Sequence, residues 1–409
     1  MQLKHASCPK LPLEEKTTTF VVGDMRLALA RVVASRSVSM VKTPASATAT
    51  VPLLVGRATA KGTLRHAERY AKRRGVEFHR PLDRMLRVSA LGLGTYLGEC
   101  DDDDDARYEG VARAALERGV NLLDSAINYR CQRSERVVGR AVRAAVSAGL
   151  VARDEVVVCT KGGYIPLDTN APASREEYRT FLEREYFANG IVAPENVIAD
   201  AHSIAPGFLA DQLRRSRDNM GIETIDVYYV HNPEQQLDVI KPSQLLDRLR
   251  EAFAMLESRC DAGDIARYGC ATWNGFRAAR GTRGHLELAE IVAAAHEVGG
   301  PDHRFRVVQL PINLAMPEAV RVSTQRVRGR EMPFLHAAAE LGVSVVASAS
   351  LLQAKLAAGL PPQVREALPG FATDAQRALS FVASLPVSVA LVGMRGIAHL
   401  DENLAAFGE

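Results

Sequence analysis

The sequence predicts an α/β chain folded as one closed (β/α)8 TIM barrel, with an N-terminal extension and a long insertion after the third barrel strand. Three observations lead there. From residue 85 onward, short apolar runs alternate with longer helical patterns, as parallel strands buried on both faces do. The alternation repeats eight times in about 320 residues, the size of one barrel. No Gly-x-Gly-x-x-Gly follows a strand and opens a helix, which weighs against the alternative, an open doubly wound sheet. The glycines of "GLGTYLG", Gly92, Gly94 and Gly98, follow another pattern.

Residues 1–60 show no steady period and read as a disordered or loosely packed extension. From Met25 to Arg65 there is no Asp or Glu, and "TPASATATVP" reads as a linker. Such a composition suits a transit peptide, but Glu14, Glu15 and Asp24 precede it and count against that. Residues 61–84 are expected to give a short basic helix, "TLRHAERYAKRRG", and an opening hairpin. In the hairpin segment, Leu82, Met85, Leu86 and Val88 are expected to cover the end of the core. Residues 85–409 are expected to form the barrel. Its strands are predicted at Ala90–Gly94, Val120–Asp124, Val156–Thr160, Asp226–Val230, Arg267–Ala271, Val307–Leu310, Val343–Ser348 and Val387–Val392. The helices that follow them are predicted at Ala106–Arg118, Ser134–Ala148, Ala205–Met220, Ser243–Ala262, Gly284–Val298, Arg330–Leu341, Asp374–Ala383 and Ile397–Ala406. Asp101–Asp105 read as carboxylates complementing the first helix dipole, in preference to a calcium motif.

The 409 residues are 47% hydrophobic and 24% charged, with a net charge of +3. That charge is too small to make nucleic acid or an anionic membrane the main partner. No run approaches the roughly 18 apolar residues of a membrane span. The six cysteines, Cys8, Cys100, Cys131, Cys159, Cys260 and Cys270, show neither Cys-x-x-Cys nor zinc-ligand spacing, so no metal is expected. Cys159 and Cys270 fall in strand patterns as inert core thiols. A reduced, cytoplasmic protein is expected. Oligomeric state is not legible.

Polar residues fall where chemistry needs them. Asp124 ends the second barrel strand, and Tyr129 follows in its loop. Lys161 ends the third strand and His231 the fourth. In a barrel these ends share one face, where active sites form. Each residue has a plainer use: a helix cap, a loop anchor, an ion pair, a core imidazole. Three successive strands delivering a titratable group to one end point to carbonyl reduction. Reduction of a carbonyl needs a proton on oxygen, and a phenol is a poor acid, with a free pKa of about 10. A neighbouring ammonium stabilises the phenolate. Tyr129 is then the acid, Lys161 its activator, Asp124 the anchor of Lys161, and His231 the orienter.

The blocks "LGLGTYLG", "GVNLLDSAINYRCQRSERVVGRAV", "VVVCTKGG", "GIETIDVYYVHNP" and "DENLAAF" resemble, in order, those of the aldo-keto reductase family. The likeness runs over residues 85 to 408, about four-fifths of the chain. It implies a tetrad of Asp124, Tyr129, Lys161 and His231, and NADPH/NADP+ (NADH less favoured) lying extended across the mouth without a Rossmann domain. The family pattern also assigns cofactor contacts. Thr95 and Tyr96 match its first loop, Gln309 the carboxamide glutamine, Gly393, Met394 and Arg395 the 2′-phosphate segment, and Glu402 and Asn403 the adenine pair. Arg395 is the only cation in "VGMRG", and a guanidinium suits phosphate.

Two departures from the pattern stand out. Ala271 and Thr272 replace the usual Ser-Asn, leaving Thr272 or Asn274 to supply that hydrogen bond. Ser348 stands where the family often stacks an aromatic ring, and Trp273 is the residue available to share that role. Tyr96 and Trp273 are placed in the substrate pocket. The insertion after Lys161 carries Tyr164, Tyr178, Phe181, Tyr186 and Phe187, which suggest a packed lid; His202 at its end reads as a helix-start residue. The resulting expectation is an NADPH-dependent reductase of a small-molecule aldehyde or ketone. The alternatives are a non-catalytic cofactor-sensing or scaffold barrel and a Schiff-base lyase using Lys161.

Overall fold

A computed structural model describes residues 52–169 and 171–407. Cys8 and residues 1–51 of the expected extension lie outside them. The chain divides into two units, Met1–Ala47 with Ala171–Phe181, and Thr48–Asn170 with Leu182–Glu409. In the first, the described residues supply most of a helix, and Tyr178 stacks on Phe181 with ring centroids 6.0 Å apart.

The second unit is a closed barrel of eight parallel strands. After a hairpin of β1 (His79–Leu82) and β2 (Leu86–Ser89), the barrel strands are β3 (Leu91–Gly94), β4 (Leu122–Asp124), β5 (Val157–Gly162), β6 (Val227–His231), β7 (Tyr268–Ala271) and β8 (Phe305–Pro311). A second hairpin, β9 (Gln325–Val327) with β10 (Arg330–Met332), precedes the last two, β11 (Ser344–Ser348) and β12 (Val389–Gly393). All eight predicted barrel strands form, because each buries both faces. Gly269 is required by the packing: a Cβ there would lie 1.6 Å from the carbonyl oxygen of Val307, where the β7–β8 register shifts.

The hairpin plugs the amino-terminal end of the barrel. Leu82, Leu86 and Val88 pack with the inward side chains Leu122, Val157, Val227, Tyr229, Val307, Val346 and Val389. Met85 does not join them; it is 61% exposed at the turn, where Asp83 and Arg84 take positive φ. The hairpin therefore runs past residue 84, the boundary the sequence suggested.

Local chemistry explains the helices. α1 (Ala60–Arg74) starts on Thr59, whose side chain accepts from the Gly62 amide, and ends with Lys72, Arg73 and Arg74 beside the negative dipole end. α2 (Asp102–Glu117) is capped by Asp101, which accepts from the Asp104 amide. Its acidic first turn suits the dipole, as expected, but Asp104 and Asp105 are also buried and bound to arginines.

Two further expectations fail. Residues 330–332 pair as a strand with 325–327, and the helix predicted from Arg330 starts only at Phe334. Pro333 restricts the residue before it to extended backbone. The free extension does not reach residue 60 either. Leu54 pairs with Gly221 and Glu223 through main-chain hydrogen bonds, and the Ala58 amide donates to Asp226 Oδ1 at 2.6 Å. A strap with so few side-chain signals has no period to read.

Candidate active site at the carboxyl-terminal mouth

Parallel register brings the strand ends level: Asp124 pairs with Gly94 and Cys159, Lys161 with Tyr229, and Ala271 with both His231 and Gln309. Lys161 Nζ donates to Asp124 Oδ1 at 2.5 Å and to the Ser125 carbonyl at 2.7 Å. Both side chains are buried. Gln309 Nε2 donates to the other Asp124 oxygen at 2.9 Å, and the Thr95 hydroxyl holds the Asp124 carbonyl at 3.0 Å. Lys161 Nζ also lies 4.9 Å from the centre of the Tyr129 ring. The Tyr96 and His231 rings stand edge-on to Tyr129 at 5.0 and 6.0 Å. The four residues read from the strand ends therefore meet in one place.

Their electrostatics differ. Burial acts to lower Lys161, but Asp124 and then Tyr129 outweigh it and hold the ammonium form. Burial raises Tyr129, with Lys161 opposing, so the ring carries its proton at neutral pH. Burial raises Asp124 as well, against the pull of Lys161 and Gln309. His231 is held well below its ordinary value by burial, then by Lys161 and His202, and is a neutral imidazole. Its Nδ1 is buried without a partner.

A supporting layer was not legible. His202 Nε2 contacts the His231 carbonyl at 2.7 Å, and His202 Nδ1 receives Gln236 Nε2 at 2.9 Å. These partners assign the proton to Nε2, which donates to the carbonyl. His202 is not a helix start, since the next helix, Pro206–Met220, begins four residues later. Tyr164 stands edge-on to both histidines at 4.9 Å, and its hydroxyl accepts from Asn232 Nδ2 at 2.8 Å. Tyr164 and Tyr186, two of the insertion aromatics, are buried in the barrel unit. Glu234 receives the amides of Trp273, Asn274 and Gly275, fixing the loop after β7.

The residues expected at a cofactor are spread along the mouth. Thr272 has a buried hydroxyl with no partner. Trp273, Asn274 and Ser348 are half-buried, and Tyr96 is 45% exposed. Gly393 is exposed beside its register partner Gly94, whereas the Met394 side chain lies in the core. Arg395 Nη2 pairs with Asp104 at 2.6 Å while its side chain stays 42% exposed. Asn403 is buried, and the Glu402 carbonyl accepts from Gln376. Gln309, expected on a carboxamide, directs its Nε2 to Asp124. Among the described residues, no group of three or more His, Cys, Asp or Glu could hold a metal ion, and no helix is long and apolar enough to cross a membrane.

Comparison with known proteins agrees with this picture. A 6-dehydroglucose reductase from Agrobacterium fabrum is 25% identical over 169 residues, 41% of this chain and 48% of that protein. A 2,5-diketo-D-gluconic acid reductase B from Corynebacterium sp. is 33% identical over 144 residues, 35% of this chain and 34% of that protein. The chain thus spans about half the length, or less, of these curated relatives. The barrel resembles the crystal structure of an aldo/keto reductase from Klebsiella pneumoniae in complex with NADP and acetate. That match has a TM-score of 0.53 at 20% identity, covering 81% of this chain and 90% of the other. It likewise resembles the holo form of an aldo-keto reductase from Bacillus halodurans, with a TM-score of 0.53 at 19% identity, covering 81% and 91%. A sequence model of the aldo/keto reductase family matches residues 90–288, which hold the first five barrel strands. Over that segment, just under half of the chain, the sequence matches the aldo/keto reductase family.

Proposed function

We propose that this protein is a cytoplasmic NADPH-dependent reductase that transfers hydride to the carbonyl of an aldehyde or ketone, and oxidises the alcohol in reverse. The observation that supports it most is Lys161: a buried ammonium fixed on Asp124, 4.9 Å from the Tyr129 ring, with a neutral imidazole across from it. The ammonium form also disfavours the Schiff-base alternative, which needs a neutral amine.

The residues at the mouth fit an extended dinucleotide. The unpartnered Thr272 hydroxyl is a buried polar atom in want of a ligand, and an added Cβ at Gly94 or Gly393 would meet nothing closer than 3.4 Å. Thr272, Asn274, Gln309 and Ser348 would hold the nicotinamide end, with Thr95 and Tyr96 beside it. Gly393, Met394 (through its backbone) and Arg395 would hold the 2′-phosphate, and Glu402 and Asn403 the adenine. A bound nicotinamide supplies the hydride. His231 orients the carbonyl through Nε2, since its Nδ1 is buried. Tyr129 gives its proton to the carbonyl oxygen, and Lys161 stabilises the phenolate left behind. Asp124 keeps Lys161 charged and in place. Such proton transfer is typically worth about 10² to 10⁴ in rate.

The test is NADPH consumption, followed by absorbance, with a panel of aldehydes and ketones. The relatives' names put hydroxylated, sugar-derived carbonyls in that panel. Carbonyl-dependent oxidation of NADPH is expected. NADPH binding without turnover on any carbonyl refutes the reading and favours a cofactor-sensing scaffold.

A further inference from the structure

Cys100 lies between β3 and α2, and Cys131 lies two residues beyond Tyr129. Their sulfurs are 3.1 Å apart, about 1 Å longer than a disulfide bond of roughly 2.05 Å. The approach is built into the backbone. Arg130, Cys131 and Gln132 take φ of 48°, 52° and 66°, three consecutive residues in a region that side chains disfavour. Arg130 holds them there: its Nε donates to the Glu99 carbonyl at 2.8 Å and its Nη2 to the Asp101 carbonyl at 3.3 Å, clasping both neighbours of Cys100. Asp105 then fixes Arg130 at 2.7 Å.

The two thiols are unequal. Cys100 is partly exposed, and its hydrogen bond with Cys131, with the charges of Arg130 and Arg133, favours its thiolate. Cys131 is buried, and the same contact and its burial hold it protonated. Burial also raises the other described thiols, Cys159, Cys260 and Cys270.

We propose that Cys100 and Cys131 are a reversible redox site, in which a peroxide oxidises Cys100 and Cys131 closes an intramolecular disulfide. The Cys100 thiolate attacks a peroxide oxygen, the O–O bond breaks, and hydroxide leaves to become water. Cys131 then attacks the resulting sulfenic sulfur, forming the S–S bond and releasing a second water. The two thiols lose two electrons and two protons, and hydrogen peroxide is reduced to two waters. Closure moves the segment four residues from Tyr96 and the loop two residues from Tyr129. Resting on the reductase reading, it shifts those rings out of position, where a displacement of about 1 Å can cost about 10² in rate.

The test treats the reduced full-length protein with a few equivalents of hydrogen peroxide, maps its peptides by mass spectrometry without reduction, and measures NADPH turnover in parallel. The expected result is a cross-link between the Cys100 and Cys131 peptides, undone by dithiothreitol, with turnover at least tenfold lower until reduction. Cys100→Ser and Cys131→Ser each abolish the cross-link, and the turnover of Cys100→Ser is untouched by the same treatment. A Cys100 that stays free, or pairs with any cysteine other than Cys131, overturns the site. Full cross-linking with unchanged turnover overturns its control of the mouth. The mapping reads out without any activity, so a protein that reduces no carbonyl sinks the reductase reading and leaves the dithiol standing.

Discussion

Replacing Lys161 by Met removes the ammonium and keeps most of the stem. It leaves Asp124, only 4% exposed, without its cation. Breaking a buried ion pair from one side costs about 3–5 kcal/mol, because a charge stays uncompensated. That is a large share of the roughly 5–15 kcal/mol that holds a domain folded. Adding Asp124→Asn removes the orphaned charge while keeping an acceptor for Gln309, and should recover about 2 kcal/mol or more at neutral pH. The pH dependence has a definite sign. Burial already raises Asp124, and without Lys161 nothing but Gln309 opposes it. A carboxyl raised on folding is stabilising below its unfolded pKa of about 3.9 and loses that contribution as pH rises. The Lys161→Met protein should therefore be relatively more stable near pH 5 than near pH 8, whereas the double variant should show no such trend. Urea unfolding with matched slopes reads both. Effects of the two changes that add within about 0.5 kcal/mol, or a single variant with no pH trend relative to the parent, refute the pair as the anchor of the site.

Further predictions follow from other parts of the barrel. Arg395→Ala should weaken NADPH about tenfold to a hundredfold and NADH little, since a charge-assisted bond is worth about 1.5–3 kcal/mol; equal loss for both, by titration, means another residue reads the phosphate. Burial holds His66, His79 and His202 down to about 4. Imidazoles lowered on folding stabilise fully above their unfolded pKa of about 6.5, so stability should fall from there toward about pH 4, by up to about 1.4 kcal/mol per pH unit for each. Urea midpoints that do not move between about pH 7 and about pH 5 contradict this. A chain beginning at Pro52 should keep the stability and turnover of the full chain, whereas one beginning at Ala60 loses the donor to Asp226, at about 1–3 kcal/mol, and the Thr59 cap, at about 0.5–2 kcal/mol. Equal melting of the two shorter chains counts against the strap.

Barrel strands were legible because each hides both faces, so apolar runs and spacing suffice. The residues at their ends were legible for a related reason: Asp124, Lys161 and His231 are polar interruptions of otherwise apolar runs. Contacts made across loops were not. Cys100 and Cys131 stand 31 residues apart and meet only because Arg130 folds its loop onto Glu99 and Asp101. The Gln309–Asp124 bond spans 185 residues and crosses the barrel interior, so no local pattern announces it. His202 read as a helix-start residue, yet its ring is spent on the backbone of His231. The β9–β10 hairpin was hidden by apolar spacing that continues into the following helix, although Pro333 marked the true boundary.

The central claim is that Tyr129 delivers the proton. Tyr129→Phe keeps the ring against Lys161, Tyr96 and His231 and deletes only the hydroxyl. Steady-state turnover and NADPH affinity, measured together on this variant, separate chemistry from binding. The account predicts kcat lower by about 10² to 10⁴ with NADPH affinity nearly unchanged. An unchanged kcat would contradict it.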